Sequence, residues 1–256
     1  MEFPSSTPPP IFEVRGLCYA YNDYFSALNN IDLTVRPGEK RAILGSNGSG
    51  KSTLLKILDG LYFPTSGSVS AFGKPLTEPA LRDDFYNFEF RSRVGLVFQD
   101  SDVQLFMPSV WEEIAFAPLQ FGMKPSEVTA RVEAALAALQ IERLRDRAPH
   151  QLSGGEKKRV ALASIFSLSP EVWLLDEPSA GLDPRSIDWL IDFVNAQGSA
   201  GKTMILATHD LDLVKVTCDQ VSVLDEDHQI IADGLSQTVL TNRDLLVRAN
   251  LARRDR

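Results

Sequence analysis

A glycine-rich stretch near the start of the chain has the composition and spacing of a phosphate-binding loop. It consists of Gly45, Ser46, Asn47, Gly48, Ser49, Gly50, Lys51 and Ser52. This order fits the pattern G-x-x-x-x-G-K-[ST], in which backbone N–H groups surround phosphate oxygens. We expect Lys51 to reach the β- and γ-oxygens of a nucleoside triphosphate and the Ser52 hydroxyl to bind Mg²⁺. Thr53, the next residue, is counted with the nucleotide-binding residues.

Two consecutive carboxylates could supply the rest of the chemistry of phosphoryl transfer to water. Asp176 and Glu177 end an apolar run that begins at Val172, and parallel sheets bind ligands at the carboxyl ends of their strands. Just past a strand the chain can turn, so Asp176 can support the metal while Glu177 faces the attacking water. The alternative is a simple acidic turn, which the presence of Lys51 upstream makes the weaker interpretation.

A second glycine-rich loop lies later in the chain. It consists of Ser153, Gly154, Gly155 and Glu156. The chain does not need this loop to hold its own phosphates. We therefore expect it to complete the phosphate site of another copy.

Apolar runs and turn residues predict an α/β fold that places these groups at strand ends. Strands are predicted at Ile11–Val14, Ala27–Val35, Lys40–Leu44, Ser66–Phe72, Val94–Phe98, Val172–Leu175, Met204–Ala207, Val221–Leu224 and Ile230–Ala232. A helix is predicted at Ser52–Leu61, with Leu61 on its buried face, and its first turn would face the phosphates. Another is predicted at Glu127–Gln140, with Ser126 as N-cap. The pattern is helical from about 100 to 166, and two short helices end the chain.

Composition narrows the class of protein. The 256 residues are 44% hydrophobic and 23% charged, with a net charge of −8 and no basic patch, so we expect no nucleic-acid partner. The spacing of Cys18 and Cys218 suggests no metal site, and His150 and His228 are interpreted as surface residues. No run of about 18 apolar residues exists. Met1–Pro10 is expected to be a disordered leader rather than a signal peptide, which predicts a cytoplasmic protein.

Short motifs around the two glycine loops carry a family resemblance. They are Asp176-Glu177-Pro178, Ser179-Ala180-Gly181-Leu182-Asp183, Thr208-His209-Asp210, Gln99 after an apolar strand, and Tyr21 in Tyr19-Ala20-Tyr21. In this order they resemble the Walker B, D-loop, switch-histidine, Q-loop and adenine-stacking motifs of the ATP-binding cassette (ABC) ATPases. The resemblance covers about residues 11–245 and leaves 246–256 as a C-terminal tail.

This resemblance implies an α/β P-loop NTPase core of ABC ATPase type, with an antiparallel β subdomain and an inserted helical subdomain at about 100–166. It implies ATP hydrolysis with Mg²⁺ held by Ser52, Asp176 and Gln99, with Glu177 as general base and His209 sensing the γ-phosphate. Family members work as head-to-tail pairs. The implied contacts to ATP held by the other subunit come from the second glycine loop and the D-loop, namely Ser153, Gly154, Gly155, Glu156 and Asp183. Tyr19 remains the alternative to Tyr21.

Residues 99–119 and 154–161 together with Ser179–Pro184 resemble one branch, the energy-coupling factor (ECF) ATPases. That branch powers importers of cobalt, nickel, biotin and other vitamins, and the short chain is most similar to its cobalt/nickel members. The resemblance implies a membrane scaffold subunit and a substrate-binding membrane subunit as partners, and a homodimer or heterodimer of cassettes on the cytoplasmic side of the membrane. It also implies a docking groove containing Leu105, Phe106, Met107 and Pro108; the alternative is that these residues pack internally within the helical subdomain. A vitamin importer ATPase and a soluble, non-transport ABC ATPase remain alternatives.

Overall fold

The computed structural model describes residues 8–22 and 25–253. Its strands are β1 (Phe12–Tyr21), β2 (Phe25–Val35), β3 (Lys40–Leu44), β4 (Ser66–Ala71), β5 (Lys74–Pro75), β6 (Val94–Val97), β7 (Val172–Asp176), β8 (Thr203–Thr208), β9 (Gln220–Leu224) and β10 (Ile230–Leu235). The predicted leader lies outside the described residues up to position 7, and the predicted tail lies outside them from position 254.

The helices lie between and after these strands. They are α1 (Lys51–Leu58), α2 (Glu78–Leu81), α3 (Asp84–Arg93), α4 (Val110–Gln120), α5 (Pro125–Ala138), α6 (Gly154–Phe166), α7 (Pro184–Ser199), α8 (Leu211–Thr217), α9 (Ser236–Val239) and α10 (Arg243–Arg248). Short 3₁₀ turns lie at Ser101–Val103, Glu142–Leu144 and Pro149–Gln151. Within the described ranges, no helix is long and apolar enough to cross a bilayer.

The strands form two sheets of different kinds. Four strands make an antiparallel sheet in the order β2-β1-β4-β5, and six make a second sheet in the order β10-β9-β3-β8-β7-β6. In the second sheet β10 is antiparallel to β9, and the other neighbours are parallel. The parallel strands therefore end at one edge, which is where the sequence places its chemically active residues.

The six-stranded sheet is buried on both faces, which explains the continuous apolar runs of its strands. Alternate residues of β3 belong to different hydrophobic clusters. Ile43 packs with α1 and the antiparallel sheet, whereas Ala42 and Leu44 pack with α4, α5 and α6. On β7, Leu174 and Trp173 divide in the same way. The six-stranded sheet therefore packs between two layers: the antiparallel sheet with α1 on one face, and a helical layer of α4, α5 and α6 on the other.

Two predicted helix ends are wrong. The first helix ends at Leu58 rather than at Leu61, because Gly60 adopts a left-handed φ of +68° that terminates it, and the Leu61 side chain is 43% exposed. The second begins at Pro125, with Lys124 rather than Ser126 at its N-cap. Proline at the first helical position fixes φ and lacks the N–H that a cap would satisfy, so it defines this start.

Candidate nucleotide-binding site

The first glycine-rich loop connects β3 to α1 at the carboxyl edge of the large sheet. Gly50 adopts a φ of 107°, and a Cβ atom at that position would lie 2.2 Å from the Ala27 carbonyl oxygen. Only glycine fits there. Gly50 also caps α1 without a side-chain hydrogen bond, so the N–H groups of the first helical turn are available to a phosphate.

Lys51 and Glu177 meet beside this loop, and both side chains are about 95% buried. The Lys51 ammonium lies 3.2 Å from Glu177 Oε1 and donates to the carbonyl oxygens of Gly45 (2.9 Å) and Ser46 (3.1 Å). His209 Nδ1 lies 3.0 Å from Glu177 Oε2. The chain turns at Glu177, whose φ is +40°, so its carboxylate leaves the direction of the strand before it. The folded chain thus brings together a cation, a carboxylate and an imidazole that are distant in sequence.

Asp176, the last residue of β7, points to a different partner. The Ser52 hydroxyl donates to Asp176 Oδ1 over 2.9 Å, and burial raises the pKa of this carboxyl. A hydroxyl and a carboxylate oxygen form the kind of donor set that Mg²⁺ uses when nucleotide phosphates and water supply its other ligands. The pair therefore fits the predicted metal site.

A cavity of about 510 Å³ lies beside Lys51, and Tyr21 is among its lining residues. The Tyr21 hydroxyl lies 2.9 Å from Thr53 Oγ1, and the ring of Tyr21 borders the cavity. Tyr19 instead stacks on Tyr62 with ring centroids 5.4 Å apart. The geometry favours Tyr21 over Tyr19 as the residue facing a nucleobase.

One residue in this cavity was interpreted wrongly from the sequence. His228 is not a plain surface residue: its ring lines the cavity, and its Nδ1 lies 3.2 Å from the Ser49 carbonyl oxygen. It reaches this place from the β9–β10 turn, where it adopts a left-handed φ of +60°. Long-range sheet topology, which a single sequence does not give, brings that turn to the phosphate-binding loop.

Gln99 also lines the cavity, and residues that the sequence interpretation missed hold its backbone. Lys158, 4% exposed, donates to the carbonyl oxygens of Phe98 (3.1 Å) and Gln99 (2.8 Å). The Gln104 side chain accepts from Phe98 N–H and donates to the Ala161 carbonyl oxygen. The sequence contained one indication of the role of Lys158. This lysine falls on the apolar face of α6, where its ammonium group needs a polar partner.

The second glycine-rich loop, Ser153–Glu156, which we call the signature loop, begins α6 with a capping box. Ser153 Oγ accepts from Glu156 N–H, and Glu156 Oε2 accepts from Ser153 N–H at 3.0 Å. The loop lines a separate cavity of about 370 Å³ that shares no lining residue with the first one. Asp183 lines it too and caps α7 through Ser186 N–H.

An apolar groove lies beside Phe98, between α3 and the helical layer. It has a volume of about 290 Å³, and Leu61, Phe98, Phe121 and Ile165 are among its lining residues. The residues predicted to form a docking groove, Leu105 to Pro108, do not line this groove, and two of them differ in burial. Leu105 is buried at 8% exposure, whereas Phe106 is 64% exposed and packs edge-on against Phe116. For Leu105 the structure therefore supports the alternative of internal packing in the helical layer, and its expected place in the docking groove is wrong.

Residues 28–180 match the model of the ABC transporter family, and the chain belongs to that family. Its ABC ATPase fold and its ATPase activity follow from this membership. The chain is 50% identical to the nickel import ATP-binding protein NikO of Rhodobacter capsulatus, over 94% of this chain and 96% of that protein. It is 43% identical to the cobalt import ATP-binding protein CbiO of the same organism, over 94% and 85% respectively.

Solved structures agree with this assignment. The structure of cbiO1 from Clostridium perfringens, part of the ABC transporter complex cbiONQ, has a TM-score of 0.80 at 37% identity over 95% of this chain and 96% of that one. The dimeric structure of MJ0796, a bacterial ABC transporter cassette, has a TM-score of 0.79 at 26% identity over 88% and 98%. As an ABC ATPase, the chain uses ATP as its nucleotide.

Proposed function

We propose that the chain is the ATP-hydrolysing subunit of an ECF-type importer for a micronutrient, with cobalt or nickel ions as the transported solute. The cassette works on the cytoplasmic side of the membrane and binds it only through partner subunits. Sequence identity to a nickel import protein and a cobalt import protein supports the metal solute. Both relatives are matched over most of their length, so the support extends beyond the phosphate-binding loop.

The observation that carries the ATPase mechanism in this proposal is the separation of the two glycine loops. Each borders its own cavity, and the signature loop contributes nothing to the cavity beside Lys51. A second cassette, identical or related, then supplies the missing loop. ATP sits between residues 45–52 of one subunit and residues 153–156 of the other. Binding at this seam favours the closed pair by mass action, since the nucleotide contacts both halves only there.

Within each composite site the residues divide the work by position. Gly45–Ser52 and Thr53 hold the phosphates, and Tyr21 stacks on the adenine. Ser52, Asp176 and Gln99 would hold Mg²⁺, which would supply neutralisation of phosphate charge. Glu177, held beside Lys51 and His209, takes a proton from the attacking water as general base.

The contacts that one subunit makes to ATP held by the other come from the signature loop and Asp183. Ser153 and Gly155 contact the γ-phosphate, and Gly154, Glu156 and Asp183 complete that side. The cassette binds a membrane scaffold subunit near Gln99. Its contact surface consists of the exposed Phe106 and the groove at Phe98. Closing the dimer brings the two grooves together and moves the scaffold. The substrate-binding membrane subunit chooses the solute.

Uptake of radioactive cobalt and nickel by cells that carry the whole transporter tests this function. Lys51→Ala in the same cells is the control, because it disables nucleotide binding. We expect uptake of one or both metals that Lys51→Ala abolishes. Uptake of a vitamin but of neither metal would overturn the metal assignment and keep the importer. Normal uptake of every solute in Lys51→Ala cells would overturn both.

A further inference from the structure

The signature loop carries a negative charge where the proposed composite site has to receive a triphosphate. Glu156 Oε2 accepts hydrogen bonds from Ser153 N–H (3.0 Å) and Ser153 Oγ (3.0 Å). These bonds, led by the backbone N–H, lower the pKa of Glu156, so the group is ionised at neutral pH. A carboxylate close to ATP phosphates opposes their approach, and more so when water is excluded.

One cation in the same cavity pairs with this carboxylate. Arg143 Nη2 lies 2.7 Å from Glu156 Oε1, the oxygen that Ser153 does not use. Arg143 comes from the 3₁₀ turn Glu142–Leu144, lines the cavity with Ser153 and Gly155, and has a 68% exposed side chain. Its remaining N–H groups are therefore within reach of an anion that enters the cavity.

Arg159, the other arginine that lines this cavity, makes its contacts with groups other than Glu156. The Arg159 guanidinium lies over the Trp189 ring at 4.1 Å and donates to the Leu139 carbonyl oxygen at 3.2 Å. The second carboxylate there, Asp183, already accepts from Ser186 N–H and Ser186 Oγ. Arg143 is thus the cation placed to offset Glu156.

We propose that Arg143 is a positioning residue of the ATPase reaction: it neutralises Glu156 and so allows the signature loop to receive the phosphates of ATP held by the partner cassette. This inference rests on the proposed function, since it requires the composite site. In the closed pair the partner covers the cavity and excludes water, so a pair that is weak in the open monomer becomes important. The role exists because position 156 holds a carboxylate; with glutamine there, Arg143 would be dispensable.

This dependence gives an experiment in which one substitution rescues another. ATP-dependent dimerisation is measured by light scattering in a Glu177→Gln background, which slows hydrolysis, for Arg143→Ala, Glu156→Gln and the double variant. Glutamine at 156 retains the capping box, so the helix start is kept. Arg145→Ala is the matched control: it lies two residues away and pairs with Glu133 at 2.6 Å, but it does not line the cavity.

We expect Arg143→Ala to raise the ATP concentration for half-maximal dimerisation by about tenfold. Glu156→Gln should restore the Arg143→Ala protein to near the parent value, and Arg145→Ala should match the parent. ATP binding to the monomer should not change, because the Lys51 cavity lies elsewhere.

An Arg143→Ala protein that dimerises like the parent, or one that Glu156→Gln fails to rescue, would overturn this role while the composite site stands. A parent protein that binds ATP without dimerising, alone or with a partner cassette, would overturn the composite site and this role together.

Discussion

Three neighbouring side chains fix the position of the Glu177 carboxylate. Lys51, His209 and Thr208 all lie within 3.2 Å of its oxygens. We expect Glu177→Gln to retain ATP binding and to lower turnover by about 10²–10⁴-fold, as loss of a general base does. ATP hydrolysis and equilibrium ATP binding by the assembled complex check this. Lys51→Ala should instead weaken binding itself, and unchanged hydrolysis by Glu177→Gln would refute the assigned role.

Lys158 connects α6 to the backbone of Gln99, and its buried ammonium has two carbonyl partners there. Burial lowers the pKa of Lys158, and the negative charges of Asp176 and Asp100 oppose that shift. We expect Lys158→Met to lower kcat about tenfold or more through a displaced Gln99, with a smaller change in KM. Lys158→Arg, which keeps the charge, should recover most of the activity. Equal kcat values for both variants and wild type would show that Lys158 does not position Gln99.

The groove beside Phe98 and the exposed ring of Phe106 belong to the helical layer and the strand end next to it. Phe106 is 64% exposed, so a charge there should leave the fold intact. We expect Phe106→Asp to lose recruitment to membranes that contain the scaffold while ATP binding persists. Co-sedimentation with such membranes measures this. Val216→Asp is the control, since Val216 is a 51% exposed apolar residue on α8. Equal recruitment of the two variants would place the docking surface elsewhere.

The end of α1 contains a carboxylate whose titration affects stability. Burial raises the pKa of Asp59 to about 6, against an ordinary value of 3.8, although Arg91 lies 2.8 Å away. The folded protein therefore binds more protons than the unfolded one between about pH 4 and 6, and raising pH through this window lowers the free energy of unfolding.

Asp59→Asn removes this titration. Relative to wild type, we expect its free energy of unfolding to increase by on the order of 2–3 kcal/mol as pH rises from 4 to 7. Denaturant titrations at several pH values give this difference. Asp146→Asn, whose side chain is 95% exposed in wild type, should show no such trend. A constant difference between Asp59→Asn and wild type would contradict the linkage.

Apolar runs and turn residues predicted the strands and helices that position the site. They did not predict residues whose position depends on packing between distant parts of the chain. The strands at β3 and β7 followed from apolar runs that only a two-sided sheet can bury. Gly60 is a residue typical of a helix end, but the predicted helix was extended past it because Leu61 fits the helical period. The helices α2 and α3 were not predicted; in α3 only Phe90 is buried, so the helical period of its apolar residues is weak. His228 and Lys158 acquire their positions from sheet topology and helix packing, which one sequence does not encode locally.

At the scale of the whole molecule, the proposed function gives one chain half of each of two ATP sites. The cavity beside Lys51 and the cavity beside Ser153 are separate, so this account requires two cassettes for each hydrolytic site. The mass of the Glu177→Gln protein with and without ATP tests that requirement most directly. We predict an ATP-dependent shift from the 28.3 kDa monomer to about twice that mass, alone or with a related partner cassette. ATP binding with no mass increase at any protein concentration, with or without such a partner, would contradict it.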